Sequence, residues 1–206
     1  MKTILLTGAN GGIGSVIKKV LEQNGDSVIG LERKDADLGS YDDSKKLATS
    51  LSDDIDWIIC AHGYIDPETN LENQNPEAIE ETFRVNILSL FYIAQLFLKR
   101  LKMGMIFISS TSGIAANGRH AAYSASKAGV NSFAQALARN RVKQTFIALC
   151  PGPTATTMRA RVGVAGGQDP SEVAKIVVEI VSSAGEYRSG DIISVRDGKV
   201  IIESRV

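Results

Sequence analysis

The stretch "TILLTGANGGIG", residues 3–14, joins an apolar run to a glycine-rich turn and then to the start of a helical pattern. The run Thr3 to Thr7 is typical of a buried strand, and the apolar residues after the turn recur at helical spacing until Gly25. Gly8, Gly12 and Gly14 fall in the turn, where glycine accepts backbone conformations and close approaches that other residues do not. The stretch therefore predicts a strand, a tight turn and a helix in direct succession.

The same alternation of strand and helix patterns continues along the chain. Further strands are predicted at Ser27–Leu31, Asp56–Ala61, Met105–Ser109, Thr145–Cys150 and Asp191–Val195. Helices are predicted at about Ser44–Leu51, from the cap Asn75 to about Leu101, from the Tyr123 segment to about Ala138, and from Asp169 to Val181. The strands are continuous runs of Ile, Leu and Val, which is typical of strands covered on both faces. The pattern predicts a single-domain α/β fold over residues 1–206, a Rossmann-like, doubly wound parallel sheet flanked by helices on both faces.

Composition excludes several classes of function. The 23 basic and 23 acidic residues balance, so neither nucleic acid nor a membrane surface is expected as a partner. The longest apolar stretch, Ile87 to Leu98, is too short to span a bilayer and predicts a buried helix, and the N-terminus does not resemble a signal peptide. Cys60 and Cys150 each end an apolar run and are interpreted as reduced core residues. We expect a cytoplasmic protein, with no metal site.

The glycine-rich turn has the position of an anion-binding site. It opens the first helix, whose N-terminus offers unpaired N–H groups to a pyrophosphate, although a tight turn without a ligand is the alternative. Glu32 and Arg33 follow the second strand. A carboxylate there accepts both ribose hydroxyls and repels a 2′-phosphate, whereas an arginine pairs with that phosphate, and both residues could also be solvated charges. Because Glu32 occupies the strand-terminal position, the sequence favours NAD(H) over NADP(H).

Tyr123 and Lys127 in "AAYSASKAG" are separated by one helical turn, so their side chains share a helix face. The pair follows a serine cluster that includes Ser110. A phenol beside an ammonium is suited to proton transfer, and an exposed amphipathic pair is the alternative interpretation.

These motifs together resemble the short-chain dehydrogenase/reductase family over nearly the whole chain. The family's Thr-Gly-x-x-x-Gly-x-Gly matches "TGANGGIG", and its Asn-Asn-Ala-Gly matches "CAHG", altered at Cys60 and His62. Its helix asparagine matches Asn86, and its Pro-Gly motif with a later threonine matches "PGPTATTM". Its serine, twelve intervening residues and Tyr-x-x-x-Lys match Ser110, Tyr123 and Lys127.

The resemblance implies an NAD(P)-dependent oxidoreductase that interconverts an alcohol and a ketone or aldehyde. Tyr123 would be the acid/base, Lys127 would lower its pKa and hold the nicotinamide ribose, Ser110 would bind the substrate oxygen, and Asn86 would support a proton relay. The implied cofactor contacts are Gly8, Asn10, Gly12, Ile13, Gly14, Glu32, Arg33, Asp37, Leu38, Ala61, His62, Gly63, Lys127, Pro151, Gly152, Thr154 and Thr156. His62 is interpreted as a packing or polar contact, and His120 as a surface or rim residue.

Two other functions stay open beside this one. One is the reduction of a 3-oxoacyl thioester, and the other is a non-catalytic protein that senses a dinucleotide or binds a partner. A small carbonyl or alcohol compound is the expected substrate, and the long helices predict a homodimer or homotetramer.

The chain departs from the family in three places. The connection after Leu31 is short, so a helix usual in the family is expected to be missing, with Asp37 and Leu38 near the adenine. Only ten residues separate Met158 from Asp169, which predicts a site that is more open or closed by a partner subunit. The "RDGK" near the end predicts a hairpin that adds a terminal strand.

Overall fold

The predicted strands form and lie side by side in one sheet. The computed structural model describes residues 1–51, 55–141 and 143–206. Its strands are β1 (Thr3–Thr7), β2 (Ser27–Leu31), β3 (Ile55–Cys60), β4 (Leu101–Ile108), β5 (Thr145–Pro151), β6 (Ile192–Arg196) and β7 (Lys199–Ser204). Their order is β2-β1-β3-β4-β5-β6-β7, and every neighbouring pair is parallel except β6 with β7. The mostly parallel, doubly wound sheet expected from the apolar runs is confirmed.

Helices cover both faces of this sheet. They are α1 (Gly14–Gln23), α2 (Tyr41–Ser50), α3 (Pro76–Phe83), α4 (Ser89–Phe97), α5 (Ala121–Asn140), α6 (Thr157–Arg161) and α7 (Pro170–Ser182). One apolar core joins the sheet to α1 and α7, and a second joins its other face to α2, α4 and α5. None of the helices in the described residues is long and apolar enough to cross a membrane. Cys60 and Cys150 are buried and not disulfide-bonded.

Two helices differ from the predicted bounds. Helix α2 begins three residues before the predicted Ser44, because the Ser40 hydroxyl accepts a hydrogen bond from the Asp43 backbone N–H at 3.3 Å and caps the helix. The long helix predicted from Asn75 to Leu101 is divided by a π-helical segment, Arg84–Leu88, and its last helix ends at Phe97. The chain then enters β4 at Leu101, four residues before the predicted strand.

The predicted C-terminal hairpin is present. Asp197 and Gly198 connect β6 to β7 and have φ angles of +48° and +74°. Two consecutive positive φ angles match the twist of the strands they join, and Asp-Gly adopts them readily. The hairpin adds β7 as an antiparallel edge strand.

Candidate active site

The glycine-rich turn between β1 and α1 is tight at two glycines. Gly8 has a φ angle of +68°, and a Cβ atom there would lie 2.8 Å from the His62 backbone nitrogen. A Cβ atom on Gly14 would lie 2.1 Å from the Gly8 carbonyl oxygen. Neither position accepts a side chain, so the first turn of α1 lies directly against the end of β1. Among the described residues, no side chain caps this end of α1, so no side chain competes with an anion for the N–H groups of its first turn.

A cleft of about 440 Å³ opens beside this turn at the carboxyl ends of β1, β2 and β3. Nine of the predicted cofactor residues line it: Gly8, Asn10, Glu32, Arg33, Asp37, Leu38, Ala61, His62 and Gly63. The edge of a parallel sheet where the strand order reverses is the usual ligand position in this architecture, and β1 has β2 on one side and β3 on the other. The cleft has the position that a dinucleotide takes in this architecture.

The charges at the β2 end of the cleft are paired with one another. Lys34 Nζ lies 3.1 Å from a Glu32 carboxylate oxygen. Arg84 bridges Asp37 and Glu81, with nitrogen-to-oxygen distances of 2.6 Å to both. Acidic and basic groups are therefore both within reach of a ribose or a 2′-phosphate bound there.

A second cavity, of about 210 Å³, adjoins the cleft and contains the predicted catalytic hydroxyls. Ser110 and Tyr123 line it together with His120, which is thus at the cavity rather than only on the surface. Burial raises the pKa of the Tyr123 phenol, and the Ser110 hydroxyl lowers it in part by hydrogen bonding. The phenol is accordingly protonated at neutral pH. Burial, followed by the charge of Arg119, lowers the pKa of His120.

Lys127 lies below the two cavities in the interior. Its ammonium donates a hydrogen bond to the Ile108 carbonyl at 2.9 Å and lies 5.7 Å from the centre of the Tyr123 ring. Burial lowers the pKa of Lys127 to about 8, against a smaller opposite effect of the thiols of Cys150 and Cys60. Desolvation has the largest effect on the Tyr123 pKa in this structure, and the lowering expected from Lys127 beside a bound nicotinamide ring stays a prediction.

Asn86 lies at the π-helical segment and fixes the loop after β3. Its side-chain oxygen accepts a hydrogen bond from the Tyr64 N–H at 2.7 Å, and its side-chain nitrogen donates to the Tyr64 carbonyl at 2.8 Å. The same nitrogen donates to the Ser126 hydroxyl at 3.0 Å. The amide is buried and its polar atoms are all bonded, so Asn86 positions the backbone beside Gly63. A Cβ atom on Gly63 would lie 3.6 Å from Lys127 Nζ.

His62 joins β1 to the helical segment that follows Asn86. The Ser89 hydroxyl donates to the Val85 carbonyl at 2.7 Å and is 2.7 Å from His62 Nε2, so Nε2 carries the proton. The Thr7 hydroxyl then donates to Nδ1 at 2.6 Å. Burial lowers the pKa of His62 to about 4, so the ring is neutral. This agrees with a polar contact rather than an acid/base role.

The segment after β5 forms the wall between the two cavities. Pro151, Gly152, Thr154 and Thr156 line the smaller one, with Ile13 from the glycine-rich turn. A Cβ atom on Gly12 would lie 2.6 Å from the Thr156 side chain, so this segment packs against the turn. Three predicted cofactor residues line neither cavity: Gly12 packs against Thr156, Gly14 closes the turn, and Lys127 lies beneath the surface.

Sequence reasoning missed several residues that line these cavities, and three of them come from one short helix. Met158 lines both the cleft and the smaller cavity, Arg161 lines the cleft, and Arg159 lines the smaller cavity. They belong to α6, directly after the Pro-Gly motif, and their only signal in the sequence was that position. No cluster of metal-binding side chains occurs in the part of the chain that the structure describes.

Comparisons with known proteins agree with this geometry. A family model for the short chain dehydrogenases matches residues 36–165. The acetoacetyl-CoA reductase of Acinetobacter sp. is 29% identical, over 96% of this chain and 97% of that protein. The 3-oxoacyl-(acyl-carrier-protein) reductase MabA of Mycobacterium tuberculosis is also 29% identical, over 96% and 92%. A 3-ketoacyl-(acyl-carrier-protein) reductase structure from Brucella melitensis, complexed with NADH, has a TM-score of 0.84 at 20% identity over 94% and 96%, a likeness of fold.

Proposed function

Because the chain belongs to the short-chain dehydrogenase family and is an NAD(P)-dependent oxidoreductase, we propose that it reduces the carbonyl group of a small substrate. The observation that carries this proposal is a pair of hydroxyl groups in one small cavity. Tyr123 and Ser110 both line that cavity, and burial raises the pKa of the Tyr123 phenol, which favours its protonated form. Carbonyl reduction needs a proton donor at the substrate oxygen, and a neutral phenol is such a donor.

Ser110 is oriented towards the place of the substrate oxygen. Its hydroxyl oxygen accepts a hydrogen bond from the Ser112 backbone N–H at 3.1 Å, and its O–H is directed to the Tyr123 phenol, next to which a substrate oxygen would accept it. A carbonyl oxygen that accepts from Ser110 and Tyr123 is polarised as negative charge develops on it. After the proton has moved, Ser110 and the Lys127 ammonium stabilise the phenolate.

The dinucleotide would bind in the larger cleft, because the glycines of the turn leave space beside the backbone that a side chain at the same positions would occupy. Asn10, the turn at Gly8 and Gly12, and the loop Ala61–Gly63 would hold it, with Lys127 beneath the nicotinamide end. The nicotinamide supplies the hydride. Asn86 holds the Tyr64 backbone, and His62 joins Thr7 to Ser89, so both residues would act on catalysis by fixing the protein around the cofactor.

We assign NAD(H) as the favoured cofactor. The support is Glu32 at the end of β2, where a carboxylate accepts ribose hydroxyls and repels a 2′-phosphate. Lys34 and Arg84 do not offset this repulsion, because carboxylates near the cleft already hold both cations.

A 3-oxoacyl thioester is the second candidate substrate. The two curated relatives described above are named as reductases of such compounds, at 29% identity.

We further propose a cytoplasmic location, which the reduced cysteines support, and a homodimer or homotetramer. Leu88 and Phe91 support the oligomer, since both lie exposed on the same stretch of helix as Asn86.

Substitution of Tyr123 tests the proposed reaction. Loss of absorbance of the reduced nicotinamide is followed with a panel of ketones, aldehydes and acetoacetyl-CoA. For the active substrate, Tyr123→Phe should lower kcat by about 10²- to 10⁴-fold, because the general acid is removed. NADH affinity, measured by fluorescence, should stay within a few-fold. Tyr41→Phe is the matched control, because Tyr41 is exposed at the start of α2 and lines neither cavity.

Retention of turnover in Tyr123→Phe would exclude the phenol as the proton donor. Cofactor binding by the wild type without turnover on any carbonyl compound would instead favour the non-catalytic function.

A further inference from the structure

Helix α6 brings a cation to the cavity that contains the catalytic hydroxyls. Arg159 lines that cavity together with Ser110 and Tyr123, and the apolar side chains of Val162 and Val164 complete the same wall. The backbone N–H of Arg159 donates to the Thr156 hydroxyl at 3.3 Å, which caps α6. The helix is therefore held by its backbone, and the guanidinium is not required for it.

The Arg159 side chain is half-buried and brings one donor without a partner to the interior. Within the described residues, its Nε atom is buried and has no hydrogen-bond partner. A buried donor without a partner is unfavourable, and more so when it is charged. The residues described as lining this cavity include no carboxylate. Asp66 is the carboxylate whose charge reaches His120 at the cavity, and it is bonded to the Gln74 amide at 3.0 Å.

We propose that Arg159 binds an anionic group of the substrate, a carboxylate or a phosphate, while Ser110 and Tyr123 hold the carbonyl oxygen. The inference rests on the proposed reductase function and adds the class of compound to it. A cavity of about 210 Å³ requires both groups to belong to one small molecule, such as an oxo acid or a phosphorylated hydroxyketone. A guanidinium matches both anions because its N–H groups point to two oxygens at once.

Matched substrate pairs test this assignment. Acetoacetate is compared with methyl acetoacetate, and dihydroxyacetone phosphate with dihydroxyacetone, so that each pair differs in the anionic group. In one of the two pairs, the wild type should prefer the anionic compound by about ten- to a hundredfold in kcat/KM. A preference in the first pair would identify the anionic group as a carboxylate, and a preference in the second pair would identify it as a phosphate. Arg159→Met should lower this ratio at least tenfold, and Arg159→Lys should restore part of it. Arg139→Met, an exposed position near the end of α5, removes the same charge and should keep the ratio.

A second measurement does not depend on turnover. Phenylglyoxal modifies accessible arginines, and peptide mass spectrometry reports the modified fraction of Arg159 in the wild-type protein. Acetoacetate or dihydroxyacetone phosphate should protect Arg159, and the uncharged compound of the same pair should not.

The outcomes separate this inference from the reductase proposal. Reduction of the uncharged compounds with no preference for either anion, and no protection of Arg159, would overturn the anion site and leave the reductase intact. Failure to reduce any carbonyl compound would overturn the reductase, and protection of Arg159 would then still decide whether the anion site exists.

Discussion

Replacement of Lys127 by methionine should stabilise the fold while it abolishes catalysis. Lys127 is 4% exposed, and burial lowers its pKa from 10.5 to about 8. This difference corresponds to a cost of about 3 kcal/mol for keeping the ammonium charged inside the protein. The hydrogen bond to the Ile108 carbonyl, which methionine cannot make, returns about 1–2 kcal/mol. At pH 7 the variant should therefore be more stable by about 1–2 kcal/mol.

The advantage of the variant should disappear as the pH rises. Below pH 8 the lysine is charged in both the folded and the unfolded chain, so the full cost is present. Between about pH 8 and 10.5 the folded protein loses the proton while the unfolded chain keeps it, so the free energy of unfolding of the wild type rises with pH. Between pH 8 and about 9.5 the wild type should gain about 2 kcal/mol on the variant. The difference should then be near zero or reversed.

Urea unfolding of both proteins, followed by circular dichroism at several pH values, measures this difference. The control is Lys19→Met, because Lys19 is exposed on α1 and its replacement should change the free energy of unfolding little at any pH. A stability difference between Lys127→Met and the wild type that is independent of pH would refute the reasoning. Lower stability of the variant at pH 7 would refute it as well. If the variant is more stable but inactive, the protein keeps the buried charge of Lys127 for catalysis and at the expense of stability.

Two further predictions concern the cofactor and the assembly. Glu32→Gln should raise kcat/KM for NADPH relative to NADH, because the repulsion of a 2′-phosphate is removed; a wild type that already prefers NADPH would contradict the role given to Glu32. Phe91→Asp should convert an oligomer to a monomer in light scattering, because it places a charge on an apolar surface proposed to contact the partner. Phe91 is 48% exposed, and the centre of its ring lies 4.1 Å from the centre of the Phe133 ring. Phe91→Leu should keep the oligomer, and a wild type that is monomeric at micromolar concentration would refute the assembly proposal.

The parts of the fold that sequence predicted are those that local chemistry determines. Strand β1 and the glycine-rich turn follow from an apolar run and from glycines at positions where side chains collide with backbone. The hairpin at Asp197 and Gly198 follows from the turn preference of that pair. These features depend on few neighbours, so one short stretch of chain is sufficient to predict them.

The features that were missed depend on packing between distant segments. The π-helical turn at Asn86 exists beside a loop 22 residues earlier in the chain, whose Tyr64 backbone bonds to the Asn86 amide. Arg159 enters the site because α6 folds over the cavity, which the sequence between Met158 and Asp169 does not reveal. The pKa of Tyr123 depends on such packing as well, since desolvation follows how deeply the phenol is buried.

One physical cause links the two proton-carrying groups of the site. Burial raises the pKa of Tyr123 and lowers that of Lys127, because it disfavours the phenolate and the ammonium alike. Transfer of the proton from the neutral phenol to a neutral Lys127 amine therefore costs more inside the protein than in water, so the proton stays on Tyr123 until a substrate oxygen accepts it. Once Tyr123 has given its proton to the substrate oxygen, the phenolate favours the charged form of Lys127, 5.7 Å from its ring. The same burial that makes Lys127 costly for stability thus prepares it to stabilise the phenolate.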